Sequence, residues 1–216
     1  MKIGIFDSGR GGELVGDGLK KLLPEHEYLV VNDREHVPYG SRTDAEVTAL
    51  TEAAIRPLLV AACPIIVIAC NTATMAAINT LRQRHPNVTF IGIEPMIKPA
   101  NLVSATRHIT VLATPLTLQS ERYRELIASY AEDVVIDQPS AAGWAAAIEH
   151  QQGDTIDLDE LAKSIVSGSD VIVLACTHYI ALKARLEHEF PAVTVLEPTE
   201  AIAKRVTALT VPWAQG

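Results

Sequence analysis

Two cysteines stand at the ends of apolar runs and are followed at once by small polar residues. Cys70 lies in IACNTAT and Cys176 lies in LACTHYI. A cysteine thiol has a pKa of about 8.5, so that a thiolate and a thiol are both accessible near neutral pH. Two such groups on opposite faces of one sp³ carbon can remove a proton from one side and return it from the other. The pair therefore indicates acid-base chemistry at a chiral centre, and racemisation is the symmetric reaction that suits it.

Each cysteine has a polar neighbour that could assist it. Asp7 ends a neighbouring apolar run and can reach Cys70, whereas His178 follows Cys176 by two positions. Asp7 could instead cap the helix after DSGRGG, and His178 could be a core histidine. Hydroxyl and amide side chains near the same positions, with N–H groups at helix N termini, suit a carboxylate ligand. These side chains are Ser8, Asn71, Thr72, Thr114, Thr117 and Thr177.

Short runs rich in Val and Ile alternate with helix-like stretches, a pattern that predicts an α/β fold with mostly parallel sheets. The predicted strands are Lys2–Phe6, Tyr28–Asn32, Ile65–Ala69, Thr89–Ile93, Ile109–Ala113, Val134–Ile136, Val171–Ala175 and Val193–Leu196. The predicted helices are Gly12–Leu23, Asp44–Ala61, Ala73–Arg84, Ser120–Ala131, Asp157–Val166, Ile180–Glu189 and Thr199–Leu209.

The chain also repeats itself. Four landmarks recur in the same order at an offset of about 105 residues, among them the two cysteines and the two Glu-Pro pairs that begin at Glu94 and Glu197. We predict two similar three-layer α/β domains, 1–97 and 98–216, with a boundary near Lys98–Arg107 and the chain end packed back onto the first. Because ligands collect at the carboxyl ends of parallel strands, a pseudo-twofold relation between the domains would place the active site in the cleft between them, with one thiol on each side.

Composition and charge restrict the other possibilities. Hydrophobic residues make up 48% of the 216 residues, and the formal net charge is -8 without a stripe of basic residues. This favours a globular protein and argues against nucleic acid as a partner. The apolar runs are too short to span a membrane, and no secretory signal opens the chain. The three cysteines form no CxxC, so neither a disulfide framework nor a metal site is expected, and Cys63 in AACPII is interpreted as a small buried residue. We expect a cytoplasmic protein.

Five segments in this order, FDSGRGG, VPYGSR, ACNTAT, TPLTLQS and ACTHY, resemble the glutamate racemase family of the aspartate/glutamate racemase superfamily. The resemblance implies a racemase without a cofactor that interconverts L- and D-glutamate, supplies D-glutamate for peptidoglycan, and commonly forms a homodimer. It implies that Cys70 and Cys176 are the two bases, assisted by Asp7 and His178. It also implies substrate contacts, some of which coincide with the polar residues above: Asp7, Ser8, Tyr39, Gly40, Asn71, Thr72, Thr114, Thr117, Thr177 and His178.

The chain departs from the family pattern in its second half. Gln138 stands where the family usually has a cysteine, and the segment between Val134 and Asp170 is shorter than usual. Glu149 is the nearest counterpart of a family glutamate that supports the histidine, although its spacing differs. "VND" replaces the more typical Gly-Asp before Tyr39. Three functions therefore stay open at this point: a glutamate racemase, a racemase of aspartate or another acidic amino acid, and a non-catalytic protein that binds an acidic ligand or a protein partner.

Overall fold

The computed structural model describes residues 1–210 of the chain. The eight strands within this range are β1 Lys2–Asp7, β2 Glu27–Asn32, β3 Ile65–Ile68, β4 Thr89–Gly92, β5 His108–Leu112, β6 Val135–Asp137, β7 Val171–Leu174 and β8 Thr194–Leu196. The eleven α-helices of the described part are α1 Gly11–Leu22, α2 Asp44–Ala54, α3 Arg56–Val60, α4 Asn71–Arg84, α5 Ile97–Val103, α6 Pro115–Gln119, α7 Glu121–Tyr130, α8 Trp144–Glu149, α9 Asp159–Val166, α10 Lys183–Glu189 and α11 Thr199–Thr210.

The strands form two parallel sheets with the same topology. The first sheet has the order β2-β1-β3-β4, and the second has the order β6-β5-β7-β8. Each described pair of neighbouring strands is parallel. The predicted α/β fold with two similar halves is therefore confirmed, and each predicted strand end lies within one residue of the observed one.

The chain divides into two compact units, which are described separately here. Among the described residues, the first contains Met1–Ile93 and 198–210, and the second is Glu94–Glu197. Within the first unit, α11 packs against α1. Gly18 permits this contact, because a Cβ atom there would lie 2.6 Å from Cγ2 of Thr199. The predicted domain boundary between residues 97 and 98 stays a prediction.

The second sheet is covered on both faces because its central strands alternate between two apolar clusters. Ile109, Val111 and their neighbours on β7 pack with α5 and α7. Leu112, Ile172 and Leu174 pack on the other face with residues of α8, α9 and α10. Cys176 belongs to this second cluster, since it continues the even-numbered face of β7. In the first unit all four residues of β3 are buried, as expected for a central strand covered on both faces.

Several helix predictions need correction. The predicted helix Asp44–Ala61 is interrupted at Ile55, before Pro57 in the first turn of α3. Proline has no N–H to donate, and in an uninterrupted helix its ring would clash with the carbonyl group four residues earlier. The predicted helix Ile180–Glu189 begins instead as a 3-10 helix, Thr177–Leu182, that leads into α10. The segment Lys98–Arg107, near which a domain boundary was predicted, is largely occupied by α5. Neither α5 nor the short helices α6 and α8 were predicted. Across residues 1–210 no helix is long and apolar enough to cross a membrane.

Candidate active site

The first thiol lies at the start of a long helix. Cys70 follows β3 by two residues and is the N-cap of α4, where its Sγ accepts a hydrogen bond from the N–H of Ala73 at 3.4 Å. The hydroxyl of Ser8 lies 3.4 Å from the same sulfur. A helix N terminus carries unpaired N–H groups and a partial positive charge, and both stabilise an anion. These donors therefore lie where they would stabilise an anionic sulfur, and only 6% of Cys70 is exposed.

Asp7 and Ser8 reach the same sheet edge from β1, which pairs with β3. Asp7 is fully buried, and its Oδ2 accepts a hydrogen bond from the N–H of Gly9 at 2.8 Å. A Cβ atom on Gly12 would lie 2.8 Å from the Cβ of Asp7 and 2.4 Å from Oδ1 of Asn32. The glycine-rich turn therefore lets α1 begin in direct contact with this carboxylate.

The first turn of α4 supplies further polar groups beside the first thiol. Asn71 and Thr72 are each 3% exposed. The Oδ1 atom of Asn71 is buried and finds no hydrogen-bond partner among the described residues. Because an unpaired buried acceptor is costly, a donor from a bound ligand would stabilise this arrangement.

Tyr39 and Gly40 belong to a 3-10 turn, Tyr39–Ser41, that lies against α4. Tyr39 is 2% exposed, and its hydroxyl donates a hydrogen bond to Oδ2 of Asp33 at 2.7 Å. Burial raises the pKa of Tyr39, and the hydrogen bond and charge of Asp33 and the negative charge of Cys70 raise it further. Tyr39 therefore stays protonated at neutral pH, and it lies close enough to Cys70 for an electrostatic interaction between them.

The second thiol lies beside a histidine rather than at an α-helix. Cys176 follows β7 by two residues and precedes the 3-10 helix Thr177–Leu182. Its Sγ lies 3.6 Å from Nδ1 of His178, and Nε2 of His178 lies 2.7 Å from Oε1 of Glu149. The side chains of His178 and Glu149 are only 5% and 15% exposed. Cys176, His178 and Glu149 thus form a buried chain of three titratable groups.

The hydrogen bond to Glu149 fixes the tautomer of His178. A carboxylate only accepts hydrogen bonds, so Nε2 must carry a proton. In the neutral ring, Nδ1 then presents its lone pair to Cys176 and can take the thiol proton. The negative charge of Glu149 favours the imidazolium that results, as a carboxylate does in other histidine-based sites. Glu149 therefore contacts His178 despite its different spacing along the sequence.

Three threonines lie at the same edge of the second sheet. Thr177 is 2% exposed and follows Cys176 directly. Thr114 lies just beyond β5, the neighbour of β7, and caps α6 through the N–H of Thr117. The hydroxyls of Thr114 and Thr117 are 3.1 Å apart, and Thr117 is fully buried. The predicted contacts in this half are therefore gathered at the carboxyl ends of β5 and β7.

Two aromatic residues beside the second thiol were not predicted as site residues. Tyr179 packs edge-on against Trp144 with ring centroids 5.8 Å apart, and both belong to the cluster that contains Cys176. Burial raises the pKa of Tyr179, and the charge of Cys176 raises it further. Gln138, at the position where a cysteine is usual, donates a hydrogen bond to the hydroxyl of Tyr123. The ACTHY segment could have revealed Tyr179, but no local signal places Trp144.

The two thiols occupy equivalent places in two sheets of the same topology. Cys70 follows β3 and Cys176 follows β7, and each of these strands is the third in the order of its sheet. The structure thus gathers the predicted residues into two groups, one at the carboxyl edge of each sheet. Within residues 1–210, no cluster of three or more His, Cys, Asp or Glu side chains could hold a metal ion.

Comparisons with known proteins agree with this architecture. The model of the Asp/Glu/Hydantoin racemase family matches residues 14–206. A glutamate racemase of Herpetosiphon aurantiacus is 37% identical over 214 residues, covering 96% of this chain and 84% of the relative. A glutamate racemase of Sulfurovum sp. is 36% identical over 97% of this chain and 82% of its own length. The crystal structure of Escherichia coli glutamate racemase with L-glutamate and the activator UDP-MurNAc-Ala is 29% identical, with a TM-score of 0.83 over 96% of this chain and 81% of that one.

Proposed function

The chain belongs to the Asp/Glu/Hydantoin racemase family, and on this premise we propose that it is a glutamate racemase that needs no cofactor. The observation that carries the proposal is the pair of thiols at equivalent strand ends, one at a helix N terminus and one beside a histidine. Similarity to glutamate racemases over most of the chain supports glutamate as the substrate.

The proposed reaction begins when one thiolate takes the α-proton of glutamate. The two electrons of the broken C–H bond pass into the α-carboxylate, which becomes an enediolate. The other thiol then donates its proton to the opposite face of the same carbon, so that the configuration is inverted. One thiol has gained a proton and the other has lost one, and exchange with solvent restores the starting state. The same steps in reverse convert the other enantiomer.

Each thiol is proposed to have its own assistant. At Cys70, the N terminus of α4 and the hydroxyl of Ser8 stabilise the thiolate, while the buried carboxylate of Asp7 can hold or return a proton. At Cys176, the imidazole of His178 can accept the thiol proton, and Glu149 stabilises the imidazolium. Such groups work best when their protonation states are balanced near the operating pH.

The polar residues around the thiols are proposed to bind the two carboxylates and the ammonium group of the substrate. The unpaired Oδ1 of Asn71 suits the ammonium group, because it can only accept a hydrogen bond. Donors directed at the α-carboxylate would stabilise the charge that develops there in the transition state. The remaining proposed contacts are Asp7, Ser8, Tyr39, Gly40, Thr72, Thr114, Thr117, Thr177 and His178.

Three further features are proposals that rest on the family resemblance. They are a homodimer as the assembled form, a supply of D-glutamate to peptidoglycan synthesis, and a cytoplasmic location. Size-exclusion chromatography with light scattering tests the first. Rescue of a bacterial strain that requires D-glutamate tests the second.

The activity test uses the purified chain in D₂O with L-glutamate and, separately, with L-aspartate. We expect glutamate to lose its α-proton signal in NMR spectra and its optical rotation, since each turnover can deliver a deuteron from solvent to the α-carbon. Turnover of aspartate alone would assign the chain to aspartate racemisation. Exchange with neither amino acid would contradict the racemase proposal and favour a non-catalytic binding protein.

Cysteine variants test the assignment of the two bases. Cys70→Ser and Cys176→Ser should each abolish racemisation, because a serine hydroxyl is a far weaker acid than a thiol. Cys63→Ser is the matched control. Cys63 lies before β3, at the opposite end of the strand from Cys70, and burial raises the pKa of its thiol. Full activity in either of the first two variants, or loss of activity in the control with its fold intact, would contradict the assignment.

A further inference from the structure

Asp33 connects the backbone of Asp7 to the side chain of Tyr39. It follows β2 directly, and its N–H donates a hydrogen bond to the carbonyl oxygen of Asp7 at 3.0 Å. Its Oδ2 accepts the hydroxyl proton of Tyr39 at 2.7 Å, and its Oδ1 lies 2.8 Å from Nδ1 of His36. Its side chain is only 11% exposed. One residue therefore links the backbone of a proposed catalytic residue to the side chain of a proposed substrate contact.

The segment between β2 and α2 depends on such contacts because, apart from two short 3-10 turns, it has no regular structure. His36 continues the network, since its carbonyl oxygen accepts hydrogen bonds from Nε and a second guanidinium nitrogen of Arg42 at 3.0 and 2.8 Å. Tyr39 packs near Phe6 of β1, with ring centroids 6.4 Å apart. If the carboxylate of Asp33 were absent, the buried hydroxyl of Tyr39 would lose its acceptor, and burial of an unpaired hydroxyl is unfavourable.

We propose that Asp33 is a positioning residue, which holds Tyr39 and the turn Tyr39–Ser41 where Tyr39 and Gly40 contact the substrate. The inference rests on the proposed function, because that function assigns the substrate contacts to this turn. Asp33 itself acts through Tyr39 and does not touch the reacting atoms. Its loss should therefore weaken the binding of substrate and transition state alike, which raises KM and leaves kcat nearly unchanged.

A double-mutant cycle measures whether Asp33 acts through Tyr39. Asp33→Ala and Tyr39→Phe should each raise KM for L-glutamate about tenfold, the effect of one strong hydrogen bond, with kcat within about twofold of the wild type. The double variant should be no worse than either single variant, because both remove the same hydrogen bond. A KM raised about a hundredfold in the double variant would show independent effects and overturn the inference.

Conservative variants separate positioning from general stability. Asp33→Asn keeps an oxygen that can accept the Tyr39 proton, so its KM should stay within about threefold of the wild type. Glu35→Gln, an exposed neighbour in the same segment with the same change of charge, should behave as the wild type. Thermal unfolding of each variant confirms that it is folded. An Asp33→Asn enzyme as impaired as Asp33→Ala would count against the proposed hydrogen bond.

The inference can fail separately from the proposed function. If the wild-type chain racemises glutamate but the cycle is additive, only the role of Asp33 is wrong. A crystal structure of Asp33→Ala gives a readout without activity: we expect the turn Tyr39–Ser41 to be displaced or weakly ordered. A turn and a Tyr39 ring in their wild-type positions would overturn the inference whatever the enzyme catalyses.

Discussion

Replacement of Glu149 by glutamine tests the proposed activation of the second thiol. Glu149 and His178 are joined by a 2.7 Å hydrogen bond, and their side chains are only 15% and 5% exposed. A hydrogen bond to a charged group contributes about 1.5–3 kcal/mol, and a neutral one about 0.5–1.5 kcal/mol. Glutamine keeps the neutral hydrogen bond and loses the charge, so the cost is about 1–1.5 kcal/mol. This corresponds to a five- to tenfold lower kcat/KM. Glu149→Ala loses the whole interaction, and we expect a decrease of about 10- to 150-fold.

The assay uses both enantiomers of glutamate, with hydrogen or deuterium on the α-carbon. Because the equilibrium constant of racemisation in water is one, kcat/KM must fall equally for both enantiomers in every variant. The substrate isotope effect, in contrast, can differ between the two enantiomers. When the second thiol is weakened, proton transfer to it becomes slower, so the substrate isotope effect should rise for the enantiomer that Cys176 deprotonates. Ser8→Ala weakens the first thiol and should raise the isotope effect for the other enantiomer.

The control for this experiment is Glu189→Gln. Glu189 also accepts a 2.7 Å hydrogen bond, from Arg185, but this ion pair is more exposed, with side-chain exposures of 38% for Glu189 and 26% for Arg185. Exposed pairs contribute about 0–1 kcal/mol to stability, and this one has no contact with a thiol, so kcat/KM should not change. If Glu149→Gln matched the wild type in both kcat/KM and isotope effects, the proposed Glu149–His178–Cys176 chain would be refuted.

Two other predictions concern stability. Burial opposes ionisation of Asp170, but hydrogen bonds from Ser104, Thr106 and Ala105 outweigh it and hold the pKa of this carboxyl below its usual 3.8. This carboxylate stabilises the fold above pH about 4, and the stabilisation is lost as the pH falls through the folded-state pKa. In urea unfolding, Asp170→Asn should therefore be less stable than the wild type at pH 7. Well below pH 4 the two proteins should have equal free energies of unfolding. Gly12→Ala places a Cβ 2.8 Å from the Cβ of Asp7 and should lower kcat/KM. It should also lower the free energy of unfolding by about 1–3 kcal/mol. Gly153→Ala is the control: its nearest contact is 3.5 Å, and neither kcat/KM nor the free energy of unfolding should change.

The strands could be predicted closely because their signal is local. Runs such as IIVI at Ile65–Ile68 are buried on both faces and bounded by turn residues, so composition alone marks them. The repeated order of landmarks likewise predicted two sheets of one topology. The short helices lacked such a signal. α8 has six residues and begins after Gly143, which adopts a left-handed conformation, and α5 lies in the segment near which a domain boundary was predicted.

The site could be predicted in part for the same reason. The strand ends that carry Asp7, Cys70 and Cys176 follow from the α/β pattern and the position of ligands in such folds. The partners of those residues depend on loops that cross from other elements. Glu149 meets His178 from the end of α8, and Asp33 meets Tyr39 across an irregular segment. Spacing along the chain does not encode these contacts, which arise from tertiary packing.

The two halves have one topology but place different groups beside their thiols. CNTAT continues into the fourteen-residue helix α4, so Cys70 receives an N–H hydrogen bond and the field of a long helix. CTHYI forms a 3-10 helix, and no capping hydrogen bond from that described segment reaches the sulfur of Cys176. A short 3-10 segment aligns few peptide dipoles, so the proposed mechanism requires an ionisable partner for the second thiol. His178, backed by the carboxylate of Glu149, supplies that partner. The difference between α4 and the 3-10 helix is therefore the physical reason why removal of one charge at Glu149 should slow one of the two proton transfers and spare the other.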